Sequence, residues 1–390
     1  MKKYIFILGQ NSELAQEEII AIIKKNKGHI ENISKLYILA KISIEPKKLI
    51  NILGGTIKIA EYQESINNLE NLNILTYLQN KLKKEKKNNF GFSLYNGHNK
   101  EYQQIFKKSL ELKKELKAQG YKIRLVTSKE KILSSVIVSK NKLEGKEIII
   151  IKNNNNYLIA LTKVVQDFTK YGERDIGRPA RDSKAGMLPP KLAQIMINLG
   201  GLDKEKLLLD PFCGSGTILQ EALLLGYKNI KGSDCSKKAI AASEKNITWL
   251  KKKYHLKNNL HLQKINVKDL SKYFKKESID LIVTEPFLGE ARLIQRTKDK
   301  KVLENIKYQL QELYKEAFQE FKKILSPQGR IVFIFPIIHN LYTLDKKMIE
   351  KIDFKLIKPS IKSPNLSPHN NLIYSRLKQK VKREITIWQH

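Results

Sequence analysis

The stretch KLLLDPFCGSGTILQEAL, residues 206–223, constrains the fold more than any other. An apolar strand runs into a Gly-rich turn, and an apolar helix follows. Gly214 and Gly216 let the backbone turn tightly and let a ligand come close to it. The same alternation continues downstream, with strands at IKGSD (230–234), LQKIN (262–266), LIVTE (281–285) and IVFIFP (331–336) separated by helical stretches. Such a pattern predicts a parallel, doubly wound α/β sheet. Ligands of such sheets bind beyond the carboxyl ends of the strands. Four successive strand ends carry Asp210, Asp234, Asn266 and Glu285, which places these side chains along one rim.

The first turn excludes two ligands. A dinucleotide fingerprint needs a third Gly three residues after Gly216, where Leu219 stands, and a P-loop needs Gly-Lys-Ser/Thr. A diphosphate cradle is therefore not expected. Asp234, at the tip of the second strand, can hold both ribose hydroxyls of a nucleoside. Taken alone it can equally be a helix cap. Together with the Gly turn it specifies a nucleoside without phosphates.

The first 65 residues read as β-α-β-β-α-β, the order of a ferredoxin-like unit. KYIFILG is a strand, Ser12 opens a periodic helix, Gly28–Ile33 and Leu36–Ile44 are strands, PKKLINILGG is a short helix and TIKIAEYQE a fourth strand. Residues 66–88 read as a helix ending in KLKKEKKNN. A strand (FGFSLYNG), a helix over 99–119, a strand (KIRLVTS), a helix (SSVIVSKNKL) and the hairpin EIIIIKNNNNYLIALTKV complete a second small α/β unit. Residues 167–187 are polar and Gly-rich and read as a linker or ordered loop. LPPKLAQIMINLGG is a helix, and LIYSRLKQKVKREITIW a C-terminal hairpin.

The chain has 390 residues and a net charge of +34. That charge reads either as a polyanionic partner, most plausibly nucleic acid, or as drift in a Lys-, Ile- and Asn-rich composition. Only nine of the 73 basic residues are Arg. A guanidinium fork grips phosphate or carboxylate bidentately, which Lys does not. Arginines kept in a Lys-rich chain therefore stand out: Arg174, Arg178 and Arg181 in one cluster, Arg292 and Arg296 after Glu285, Arg376 and Arg383 near the C-terminus. No apolar run approaches a membrane span. The two cysteines, Cys213 and Cys235, suggest neither a disulfide scaffold nor a zinc site, and a reducing cytoplasm is expected.

DPFCGSGT with Asp234 resembles the cofactor site of class I S-adenosylmethionine-dependent methyltransferases. RPARDSKAGMLPPKLAQIMINL and the wording after the Gly turn are similar to the tRNA guanine-N2 methyltransferases that act at position ten, which carry ferredoxin-like and THUMP RNA-binding domains before a Rossmann-like catalytic domain. The resemblance implies a ferredoxin-like domain over 1–65, a THUMP-like domain over 66–166, a linker or active-site loop over 167–187 and the methyltransferase domain over 188–390. It implies a cytoplasmic enzyme with S-adenosylmethionine as cofactor and tRNA as partner, needing no metal or membrane.

Carried over by position, Asp210, Pro211, Phe212, Cys213, Gly214, Gly216 and Thr217 form the cofactor turn, with the methionine end at Asp210, Gly214 and Gly216. Asp234 takes the ribose; Asn266 and Val267 take the adenine, or Asp269 if the register shifts. The relatives' catalytic loop is Asp or Asn, Pro, Pro, then Tyr or Phe. This chain has Glu285, Pro286, Phe287, Leu288, so Glu285 is the amine acceptor; Phe287 is the aromatic one residue early, Leu288 stands in the aromatic's usual place, and either of the two packs the base. Arg174, Arg178, Arg181, Arg292 and Arg296 are the expected phosphate contacts. Alternatives from the same residues are a ribosomal RNA guanine-N2 methyltransferase, a DNA amino-methyltransferase, and an RNA-binding protein that kept the fold without turnover.

Overall fold

A computed structural model describes residues 1–181, 187–201, 203–377 and 379–390, with the backbone alone at 291, 292 and 295. The chain forms two compact units. One comprises Met1–Gln10, Ile23–Asn51 and Thr56–Phe168; the other comprises Asn11–Ile22, Ile52–Gly55 and Thr169–His390.

The first stretch of chain runs β1 (Lys2–Leu8), α1 (Ser12–Lys25), β2 (His29–Ile33), β3 (Tyr37–Ile42), α2 (Pro46–Ile52) and β4 (Thr56–Ile66). Then come α3 (Ile74–Leu78), β5 (Asn88–Tyr95), α4 (Asn99–Ala118), β6 (Ile123–Val126), α5 (Ser135–Lys140), β7 (Glu147–Asn153) and β8 (Asn156–Val165). All eight strands join one sheet, in the order β2-β3-β1-β4-β8-β7-β5-β6. The junction is the antiparallel pairing of β4 with β8, from Lys58–Val165 to Ile66–Tyr157. The expected helix over 66–88 is instead three short pieces: a 3-10 turn at Leu69–Asn71, α3, and another 3-10 turn at Gln79–Lys81. Asn68 and Asn73 each cap a fresh start by accepting from a backbone N–H, which is what Asn does better than continue a helix.

In the second unit the order is α6 (Phe168–Asp175), α7 (Pro190–Gly200), β9 (Leu207–Asp210), α8 (Thr217–Leu225), β10 (Asn229–Asp234), α9 (Lys237–Tyr254) and β11 (Asn259–Lys264). It continues with α10 (Leu270–Tyr273), β12 (Ile279–Thr284), α11 (Ala291–Arg296), α12 (Lys300–Ile324), β13 (Leu325–Ile338), β14 (Leu341–Tyr342), α13 (Lys346–Glu350), β15 (Lys355–Ile357), β16 (Leu372–Tyr374) and β17 (Val381–Gln389). The main path of the sheet is β11-β10-β9-β12-β13-β17-β15. The first five strands are parallel, and β17 inserts antiparallel beside β13. This is the mixed α/β, class I methyltransferase-like fold. Helix α12 lays Leu303, Ile306, Leu310, Tyr314, Phe318 and Phe321 on one face, at three- and four-residue spacing. They meet Phe333, Phe335 and Trp388 of the sheet in one buried cluster. The strand order reverses between β9 and β12, the position at which sheets of this kind bind their ligands.

Candidate active site

Register does the first part of the assembly. β12 pairs with β9 through Leu281–Leu208 and Ile282–Leu209, so the ends of the two strands lie side by side. Thr284 Oγ1 donates to Asp210 Oδ1 at 2.7 Å, tying the last residue of β12 to the last of β9. Asp210 is 1 % exposed and also accepts from Phe212 N. Burial pushes its carboxyl up to about 8, helped by the negative charges of Asp234 and Glu285. Asp210 thus braces the site from inside the protein.

The turn after it is held from three sides. Gly214 N donates to Asp234 Oδ2 at 3.0 Å, Ser243 Oγ to Gly214 O at 2.8 Å, and Asn246 Nδ2 to Ser215 O at 2.9 Å. Gly214 and Gly216 sit at φ +52° and +81°, a region that costs other L-residues energy. A Cβ at Gly216 would come 2.8 Å from Ser243 Oγ, whereas one at Gly214 would meet nothing within 4 Å. The turn is therefore packed behind Gly216 and open at Gly214. Pro211, Cys213 and Thr217 are buried, and Phe212 packs against the main core. Burial raises the Cys213 thiol, which stays a thiol. Asp234 spends its two oxygens on Gly214 N and Ser236 N. A carboxylate keeps further lone pairs beyond two such bonds. Asn266 is exposed just past β11 and caps a 3-10 turn through Lys268 N, while Val267 is buried in the core. Asp269 pairs with Lys272 instead.

Glu285 follows directly on β12. Its Oε1 takes the Arg383 Nε hydrogen bond at 2.5 Å. Pro286 is buried, and Phe287 leaves 58 % of its surface exposed. The backbone beneath that ring is fixed: Tyr314, fully buried on α12, donates its hydroxyl to Phe287 O at 2.7 Å. An acceptor, a stiff backbone and an exposed aromatic face thus stand together at the reversal of strand order.

Two of the expected phosphate contacts are corrected by the structure. Arg174 is 7 % exposed and forks onto Glu221 through Nε and Nη2, at 2.6 and 3.2 Å. Arg178 is 3 % exposed and donates to Thr217 Oγ1 at 2.6 Å. A carboxylate inside the almost wholly buried helix α8 needs a cation of its own, and Arg174 is that cation. Arg181 and Arg296 are exposed; the side chain of Arg292 and residues 182–186 of the 167–187 segment lie outside the described residues. Thr284 and Tyr314 were not singled out by sequence, because their roles depend on register and on a helix face. Arg383 was visible only as one scarce arginine.

Known proteins carry the same signals. A family model for an RMKL-like methyltransferase domain matches residues 178–356, and a model described as DNA methylase matches residues 8–245. The tRNA (guanine(10)-N2)-dimethyltransferase of Pyrococcus abyssi is 27 % identical over 332 residues, which is 80 % of this chain and 89 % of that protein. The crystal structure of TrmN from Thermus thermophilus superimposes with a TM-score of 0.58 at 13 % identity, over 99 % of both chains. A second solved chain of this fold, complexed with SAH, gives a TM-score of 0.50 at 13 % identity over 99 % of this chain and 98 % of its own. With the DNA-methylase model spanning residues 8–245, the chain belongs to that broad methylase family, and over four fifths of its length it is similar to a tRNA (guanine(10)-N2)-dimethyltransferase.

Proposed function

We propose that this enzyme transfers a methyl group from S-adenosylmethionine to the exocyclic N2 of a guanosine in tRNA, at position ten. The observation that carries the reading is the Thr284–Asp210 bond, which joins the Gly turn and the Glu-Pro-Phe loop in one site at the reversal of strand order. The residues present fit a nucleoside cofactor. The turn is open at Gly214, Asp234 has acceptor capacity left for ribose hydroxyls, and the amide oxygen of Asn266 can accept from an adenine amine. When bound, S-adenosylmethionine supplies a methyl made electrophilic by its sulfonium.

The protein's own contribution is alignment. Glu285 accepts a hydrogen of the substrate amine and so orients the nitrogen lone pair; it then takes the proton the amine loses on methylation. Pro286 and the Tyr314 bond keep the loop from moving. Phe287 offers a flat apolar face to a base drawn out of its stack, at a cost of a few kcal/mol for extrusion. Arg181 and Arg296 supply phosphate contacts. The β-α-β-β-α-β order of residues 2–66 and their sheet order β2-β3-β1-β4 support a ferredoxin-like unit, and residues 66–166 a THUMP-like RNA-binding unit that reads RNA shape rather than sequence. Among the described residues no helix is long and apolar enough to cross a membrane, and no group of three or more His, Cys, Asp or Glu could hold a metal ion. A cytoplasmic location follows from the tRNA substrate.

The match to a DNA methylase model favours a second reading, amino-methylation of DNA. The test uses labelled cofactor with unmodified tRNA, ribosomal RNA and duplex DNA, followed by nucleoside analysis. N2-methylated guanosine from tRNA is the expected product. Label only in DNA adenine or cytosine would replace the reading, label only in ribosomal RNA would move the substrate, and cofactor binding without transfer to any of them would leave a binding protein.

A further inference from the structure

Glu285 is held by a residue from the far end of the chain. Arg383 lies on β17, in register with Pro336 of β13 and Tyr374 of β16. Its Nε donates to Glu285 Oε1 at 2.5 Å, and the two side chains are only 8 % and 13 % exposed. The guanidinium carbon stands 5.9 Å from the centre of the Tyr374 ring. That ring is itself buried and fixed, because Arg376 Nε donates to the Tyr374 hydroxyl at 2.6 Å. Arg383 is therefore placed by strand register and by an aromatic wall before it meets its partner. Arg376 is engaged at Tyr374, so Arg383 is the cation joined to Glu285.

A pair this enclosed can stitch two segments together, or it can aim a functional group. Two observations favour aiming. First, Glu285 is the residue that follows β12, at the reversal of strand order, close enough to the buried Asp210 for its charge to act there. Second, Arg383 bonds Oε1 alone, and no other described residue is found donating to Glu285. A glutamate has one more rotatable bond than the aspartate of the relatives' loop, so a free one would spread over more rotamers. A planar guanidinium removes that freedom with a directional bond, which an ammonium on a flexible stem does not.

We propose that Arg383 is a positioning residue for methyl transfer: by holding Glu285 through Oε1, it leaves Oε2 as the single aimed acceptor for a hydrogen of the substrate's exocyclic amine. This rests on the proposed function. Arg383 itself need not touch the base.

The experiment compares wild type, Arg383→Gly and Arg383→Lys in steady-state methyl transfer to tRNA, with cofactor affinity by calorimetry. Misaiming a reacting group by about 1 Å costs roughly 10²-fold. The expected result for Arg383→Gly is a fall in kcat of about 10²-fold, with the KM for tRNA and the cofactor affinity unchanged. Added guanidinium ion restores part of kcat in Arg383→Gly and none in wild type. Arg383→Lys recovers less than wild-type kcat. Unchanged kcat in Arg383→Gly would overturn the inference. So would a loss of kcat matched by lost cofactor affinity and deaf to guanidinium, the mark of a structural stitch. If Arg383→Gly does not fold, Arg383→Lys decides, and wild-type kcat in that variant overturns the inference. A wild type inactive on tRNA would instead refute the proposed function, so the two failures are distinguishable.

Discussion

Asp210→Asn tests how the site is built. Burial raises the Asp210 carboxyl from 3.8 to about 8, so the folded chain holds a proton there that the unfolded chain gives up. Below the unfolded value both states are protonated and the residue costs nothing. As pH rises, the unfolded state ionises first and stability falls until the folded value is passed. Burying this group costs about 4 kcal/mol at pH 7 on that account. An amide copies the protonated acid: its oxygen still accepts from Thr284 Oγ1 and Phe212 N. The variant should therefore be more stable than wild type, by a margin that grows by about 3 kcal/mol between pH 5 and pH 7. Glu18, raised by burial to about 7, adds a slope of the same sign, but it is present in both proteins and cancels in the difference. The assay is urea unfolding without cofactor at several pH values. A margin that does not change with pH would show that Asp210 is ionised in the fold, and the account of a neutral brace would fall.

Other substitutions separate packing from binding. Arg174→Met strands the buried Glu221 and should cost about 3–5 kcal/mol in urea unfolding; tRNA affinity of the folded variant should hold, and a specific loss of it would restore Arg174 as a phosphate contact. Gly216→Ala puts a side chain at φ +81° against Ser243 and should lose about 1–2 kcal/mol or more; an unchanged melting temperature would contradict the observed turn. Asp234→Ala removes the acceptor of Gly214 N and the expected ribose contact, so calorimetry should show cofactor binding lost; unchanged affinity would sink the ribose assignment.

Much of the second unit was legible because its signals are local. Strands ending in Asp210 and Asp234 and one running up to Glu285, with glycines at 214 and 216, need only short windows to be read. What was missed depends on partners far away in sequence. The buried use of Arg174 and Arg178 looks, in sequence, like the grip of a phosphate; only Glu221, inside the apolar run TILQEALLL, hinted that a cation was wanted within. The link from Arg383 to Glu285 spans 98 positions and follows from β17 inserting beside β13, which no periodicity announces. The sequence predicts one helix over residues 66–88, but the caps at Asn68 and Asn73 break it into separate short turns.

The loop after β15 is fastened to residues near the other end of the chain. Ser360 N and Ile361 N donate to Glu17, and Ser363 and Asn365 to Glu13. Both sides belong to the second unit. During synthesis Glu17 leaves the ribosome first and Ser360 follows 343 residues later, a wait of roughly 15 to 70 s at ordinary elongation rates. Over that interval Glu13 and Glu17 lack these partners from the loop after β15. The second unit can complete this set of bonds only once residue 365 has been made, so the order of synthesis makes them among the last contacts to form.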